Sequence, residues 1–201
     1  METWRNYIAS SILAGIFISI SCIVFVKTGG VVGAVLFAFG LITVVHYKFK
    51  LYTGTAGFIN TRPEVAKLLL ILAGNIVGCF VSALAIRYAE PDFADATISI
   101  VDKRMGLSPL RCGVMGIGCG FIMTAAVQFA RKNQWLPLVF GVPVFILGGF
   151  LHSIADAFYV SAVPVDYISE NPSLITRWIM VIVGNFIGCN FVRALSLKKN
   201  P

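Results

Sequence analysis

Gly74-Asn75-Ile76-Val77-Gly78-Cys79 returns 110 residues later as Gly184-Asn185-Phe186-Ile187-Gly188-Cys189, the same Gly-Asn-x-x-Gly-Cys twice in one chain. Glycines four apart let two helices approach closely inside a membrane, and an Asn between them adds an interhelical hydrogen bond. Each copy closes one half of the sequence, and each half holds three apolar stretches. Three is odd, so the second half must run through a bilayer in the opposite sense to the first. That is the inverted-repeat plan of transporters and channels.

The apolar content is 58% and the charged content 12% in 201 residues. With a mean hydropathy of +0.87, this excludes an ordinary soluble domain, where charged usage is about a quarter. Six runs suffice to cross a hydrocarbon core: residues 8–26, 31–47, 67–86, 110–129, 135–163 and 174–195. The expected fold is an all-α polytopic membrane protein, one domain over residues 1–201. Repeat one covers about 8–90 and repeat two about 105–197. The net charge of +7 is then a matter of topology rather than of nucleic acid. Basic residues such as Arg5, Arg62, Lys67, Arg131, Lys132, Arg193, Lys198 and Lys199 outnumber those on the opposite flanks. They favour both termini in the cytoplasm and a cell (inner) membrane location. Cys22, Cys79, Cys112, Cys119 and Cys189 sit in apolar runs without CxxC spacing and read as packing residues. No removable signal peptide is expected at the N-terminus.

The second run of each half is irregular. In repeat one, His46, Lys48 and Lys50 lead into Leu51-Tyr52-Thr53-Gly54-Thr55-Ala56-Gly57, apolar but interrupted by glycines and hydroxyls. In repeat two, Pro137, Pro143 and Gly148-Gly149 precede Phe150-Leu151-His152-Ser153-Ile154-Ala155-Asp156. Unwound backbone at membrane depth is tolerated only where protein or a cavity covers it. Two broken helices facing each other would line one pore. His152 and Asp156, four apart, would share a helix face, and ionisable groups at such depth read as a pathway or a proton site. Lys48 and Lys50 flank Phe49, so a helix there would turn at most one of them to the pore. The competing reading for both is snorkelling to the interface.

These stretches resemble the formate/nitrite transporter family over nearly the whole chain. The resemblance rests on Gly15-Ile16-Phe17-Ile18-Ser19, on Leu51-Tyr52-Thr53-Gly54, and on both Gly-Asn motifs. Its most specific part is Gly149-Phe150-Leu151-His152-Ser153-Ile154-Ala155-Asp156, where the family reads Gly-Phe-Glu-His-Ser-x-Ala-Asn. It implies a homopentamer with one aquaporin-like pore per protomer, passing small monovalent anions of the formate, nitrite or hydrosulfide class. His152 matches the central pore histidine and Thr53 the threonine of the broken second span, with Tyr52 replacing an aromatic there. Phe37, Leu41 and Phe145 match constriction residues, and Arg104 stands where the family has an anion-attracting lysine. This chain departs from the pattern at Leu151 (family Glu), Asp156 (family Asn) and Gly120 (family Asn). It departs again at Lys48 and Lys50, where formate channels have a small residue and an acid.

The expected function is a channel, proton-linked through His152. Desolvation disfavours a charged imidazole and a nearby anion favours it, so passage as neutral acid or as an anion–imidazolium pair would avoid an uncompensated charge. Asp156 is expected to be hydrogen-bonded. A neutral-solute pore for water, ammonia or hydrogen sulfide is the alternative. No nucleophile elbow, HExxH or second carboxylate accompanies His152 and Asp156, so no enzyme is expected. The expected partners are a small anion, protons, membrane lipid and further copies of the chain, with no nucleic acid, metal or cofactor.

Overall fold

The computed structural model describes residues 4–59 and 61–195. The side chains of Arg62 and Arg193, and all of Lys198 and Lys199, which entered the charge bias, lie outside the described residues. The elements are helical throughout: α1 (Trp4–Thr28), α2 (Gly30–His46), α3 (Tyr52–Thr55) continued by a 3-10 turn (Ala56–Phe58), α4 (Arg62–Ala89) and α5 (Phe93–Met105). Then come α6 (Pro109–Ala130), α7 (Leu136–Leu147), α8 (Ser153–Ala162), α9 (Val165–Glu170) and α10 (Ser173–Leu195). Among the described residues four helices, α1, α4, α6 and α10, are long and apolar enough to cross a membrane, and α2 and α7 are shorter apolar helices.

The distribution of polarity is inverted relative to a soluble protein. Val31, Phe39 and Phe140 are about 60% exposed, whereas Ser11, Ser19, Thr53, Asn75, His152, Asp156 and Asn185 are buried. An apolar exterior with polar groups inside is what a lipid solvent selects.

The repeated glycines set the packing. A Cβ on Gly78 would strike the Ile12 carbonyl of α1, and one on Gly188 the Ile117 carbonyl of α6. The α1–α4 and α6–α10 pairs therefore approach backbone to backbone. Gly120 belongs to the same seam, since a Cβ there would meet the Asn185 carbonyl. The Asn that the resemblance leads one to expect there has no room in this packing.

Three polar connecting segments between the apolar runs are helical. Residues 62–64 open α4, where Thr61 and Glu64 form a capping box and Thr61 N–H donates to Glu64 Oε2 at 3.0 Å. The stretch 90–104 folds largely as α5, which buries Phe93, Thr97, Ile100 and Val101, exposes Asp95, Asp102 and Lys103, and turns Arg104 inward. Residues 165–170 form α9.

Candidate functional site

Helices α2 and α7 end in the same way. Phe49 N–H donates to Val44 O (2.9 Å) and Lys48 N–H to Val45 O (3.2 Å). In the other half Phe150 N–H donates to Phe145 O (2.9 Å) and Gly149 N–H to Ile146 O (3.1 Å). This is the Schellman pattern, which needs a left-handed residue after the helix. Gly149 supplies it with φ 74° and Lys48 with φ 57°.

The repeated asparagines hold the chain beyond each turn. Asn75 Oδ1 accepts Tyr52 N–H (2.9 Å), while its Nδ2 donates to the carbonyls of Ser11 (2.7 Å) and Lys50 (2.8 Å). Asn185 Oδ1 accepts Ser153 N–H (2.8 Å), and its Nδ2 donates to Gly116 O and Leu151 O (both 2.8 Å). Each Asn thus satisfies the first N–H of a restarting helix and a carbonyl two residues earlier. Those groups would otherwise be orphaned in a dry interior. The equivalence pairs Lys48 with Gly149, Lys50 with Leu151, and Leu51 with His152.

His152 is the residue before α8, in extended backbone (φ −108°, ψ 116°). It therefore does not share a helix face with Asp156, as the four-residue spacing suggested. Its Nδ1 accepts the Ala155 N–H at 3.2 Å, capping α8. An N–H offers only a proton, so Nδ1 must be bare and the neutral ring carries its hydrogen on Nε2. Nε2 stands 2.9 Å from Thr53 Oγ1, and with that tautomer the imidazole donates and the hydroxyl accepts. The Thr53 hydroxyl proton is left to point elsewhere.

This bond joins two cavities. One, of about 710 Å³, is lined by Leu41, Thr53, Met123 and the basic Lys48, Lys50 and Arg131. The other, of about 300 Å³, is lined by His152, Phe37, Phe145, Lys103 and Arg104. Phe145 lies between the rings of His152 (centroids 5.8 Å) and Phe37 (6.1 Å). Thr53 and His152 face opposite cavities across 2.9 Å, with Leu41 on one side and Phe37 and Phe145 on the other.

Lys48 and Lys50 both line the larger cavity, against the expectation of at most one. The Schellman turn interrupts the helix on which that expectation rested. Lys50 also lies over the Tyr7 ring, 5.6 Å from its centroid. Tyr52, by contrast, lines neither cavity. Its side chain is packed inward and its hydroxyl donates to Ile182 O at 3.1 Å, tying α3 to α10. Asp156 lies behind the smaller cavity, where Arg104 Nε (3.1 Å) and Nη2 (2.9 Å) both donate to its Oδ1. Arg104 also donates to Ile100 O and stands 5.3 Å from the centroid of the Tyr159 ring. Asp156, five residues after Leu151, gives Arg104 a buried carboxylate partner.

Two basic cavity residues carry no mark of that place in the sequence. Lys103 belongs to none of the motifs. Arg131 counts there only toward the charge bias, yet it reaches Gly54 O (3.3 Å) and covers the Phe58 ring at 3.7 Å.

A bundle with an apolar exterior, polar interior and two cavities meeting at a hydrogen-bonded histidine has the makings of a membrane channel protomer. The family model for formate/nitrite transporters matches residues 1–198, and the chain belongs to that family. Its members are channels and transporters rather than enzymes. The chain is 24% identical to the formate channel BtFdhC of Bacillus thuringiensis, over 88% of this chain and 79% of that one. Its fold matches a pentameric formate channel with formate bound at a TM-score of 0.82 and 18% identity, covering 95% and 94% of the two chains. An ion channel of the same family matches at 0.82 and 18%, covering 92% and 86%.

Proposed function

We propose that the chain forms a homopentamer in the cell (inner) membrane, with one pore per protomer for small monovalent anions of the formate class. Six crossings with both termini cytoplasmic, the second and fifth broken, would turn the Lys48 cavity toward the cytoplasm. The relatives support the substrate class: one is a formate channel and another is a pentameric formate channel with formate bound.

The observation that carries the reading is the junction of the two cavities at Thr53 Oγ1···His152 Nε2, 2.9 Å. An anion arriving there meets the O–H of Thr53, whose oxygen already accepts the His152 Nε2–H, and, on either side, apolar side chains that remove its water. An unpaired ion in hydrocarbon is costly. An imidazolium would need a proton on Nδ1, where the Ala155 N–H already stands, so forming it would break the α8 cap. Crossing as the neutral acid, with the proton drawn from solution, keeps the cap intact. We therefore favour proton-linked passage in which His152 donates from Nε2 rather than titrating.

The test is flux of formate, nitrite, hydrosulfide and lactate into proteoliposomes, alongside water and ammonia. Formate flux that rises as the pH falls from about 8 to about 5 would support the reading, because more substrate is then protonated. Conduction of neutral solutes without any anion would overturn it.

A further inference from the structure

The motif that closes each half ends in a cysteine that the Asn clamps do not use. Cys79 Sγ stands 3.4 Å from Ile154 O and 3.6 Å from Gly15 O. Cys189 Sγ stands 3.3 Å from Thr53 O. Thr53 and Ile154 are the second residues of α3 and α8, so the two thiols meet equivalent carbonyls. The halves are exchanged, however. Asn75 holds the start of α3 in its own half while Cys79 reaches α8 in the other. Asn185 holds α8 and Cys189 reaches α3.

A thiol is a weak donor, and a buried free cysteine is ordinarily packing. Direction argues for more here. Ser11, Ser19, Ser82 and Ser161, all inside helices, turn back on the carbonyl four residues earlier. The shorter contact of Cys79 and the contact of Cys189 instead cross to the opposite half, twice at the same register. A carbonyl has two lone pairs, so a thiol can join it without displacing a helical N–H. These bonds rescue no orphaned group; they fix where one half lies against the other. Thr53 and His152 come from different halves and meet at 2.9 Å, a junction that the Asn clamps do not span. Tyr52 and Asn190 also tie this segment to α10, but the thiol is the tie on the Thr53 carbonyl itself.

We infer that Cys189 is a positioning residue for the pore, whose S–H holds the Thr53 backbone so that Oγ1 meets His152 Nε2. Cys79 holds the first turn of α8 from the other side. The inference rests on the anion-pore reading above and adds to it the residues that set the width of the junction.

Two measurements test it on the full chain. The first is infrared difference spectroscopy in detergent, with Cys189→Ala and Cys79→Ala each compared with the unsubstituted protein. Each difference should contain an S–H stretching band at lower frequency than that of an alkanethiol in hydrocarbon. Bands at the free-thiol frequency would overturn the inference. The second is formate flux in proteoliposomes. Each substitution should slow it about two- to fivefold, the worth of one weak hydrogen bond, in protein that assembles as before.

The decisive comparison is Cys189→Ala in the His152→Asn background, where no bond to Thr53 remains to be positioned. There it should change flux no further, whereas a packing role predicts the same loss in both backgrounds. Equal losses, or no loss from Cys189→Ala in the unsubstituted chain, would overturn the inference and leave the anion pore standing. Failure of Cys189→Ala to assemble would overturn it too, because a positioning bond this weak is not what folds the protein. If His152→Asn leaves no flux to measure, the infrared bands decide. Absence of formate flux in the unsubstituted protein would reject the pore reading and the positioning role together, whatever the bands show.

Discussion

The segments that follow α2 and α7 share one scaffold and carry different chemistry. Residues 43–52 and 144–153 share a Schellman turn, two intervening residues, and an Asn clamp from the last helix of the half. They differ at one N–H, which Lys50 gives to Ser10 Oγ and Leu151 to Met115 O. On that frame the first half puts Lys48, Lys50 and Leu51 where the second puts Gly149, Leu151 and His152. The first restart gives a single α-turn and a 3-10 turn; the second gives the ten-residue α8. Backbone bonding is duplicated because both segments face the same problem, orphaned peptide groups away from water. The side chains are free to diverge because none of them makes those bonds. The exception is His152, whose ring caps α8.

The largest effect that tests this equivalence is loss of a clamp. Asn75→Leu and Asn185→Leu each strand one buried N–H and two carbonyls, at about 1–3 kcal/mol per group. Both should lower stability by about 3 kcal/mol or more, measured as thermal unfolding in detergent. Closely similar losses would confirm the equivalence. A large loss for one and none for the other would break it.

The difference between the halves is sharpened at His152. Asn is a strong helix N-cap, so His152→Asn should keep α8 capped and the oligomer intact. Its shorter side chain gives up the bond to Thr53, and formate flux should fall about tenfold, equivalent to about 1.4 kcal/mol in the barrier. His152→Phe loses both the cap and the donor. It should abolish flux and cost a further ~1–3 kcal/mol, about one stranded polar group. Flux unchanged in both variants, with lowered melting temperatures alone, would reduce His152 to a structural cap.

Much of this frame was legible in the sequence because it lies in local pattern. The apolar runs, the Gly-Asn repeat and the Gly-rich interruptions near Thr53 and His152 need no tertiary information. What stayed hidden depends on partners distant in sequence. Asp156 looked like a partner for His152 by helical spacing, but the helix begins one residue too late, and its real partner, Arg104, is 52 positions away. Tyr52 sits beside Thr53 in sequence yet points the other way, because α3 turns it to α10. Gly120 read as a lost polar side chain and is instead a backbone contact. The reach of Arg131 to Gly54 depends on how α6 meets α3, which no local pattern encodes.

The smallest effect concerns the left-handed residue itself. Lys48 holds φ 57° where its counterpart is a glycine at φ 74°. An L side chain in that region costs about 1–2 kcal/mol relative to glycine, offset here by nothing in the Schellman bonding, which uses only the backbone. Lys48→Gly should therefore raise stability by about 1 kcal/mol, less the extra chain entropy that glycine carries when unfolded. Gly149→Ala is the reciprocal change. A Cβ at Gly149 meets only Met115 Cε, at an ordinary 3.6 Å, so its cost of about 1–2 kcal/mol should be conformational rather than steric. Opposite signs for the two substitutions, in the same unfolding assay, would mean that the two turns impose the same backbone demand and differ in the residue that meets it. If Lys48→Gly instead destabilised the protein, the lysine would be contributing to the fold more than its backbone strain removes, and the cavity charge would not be its only role.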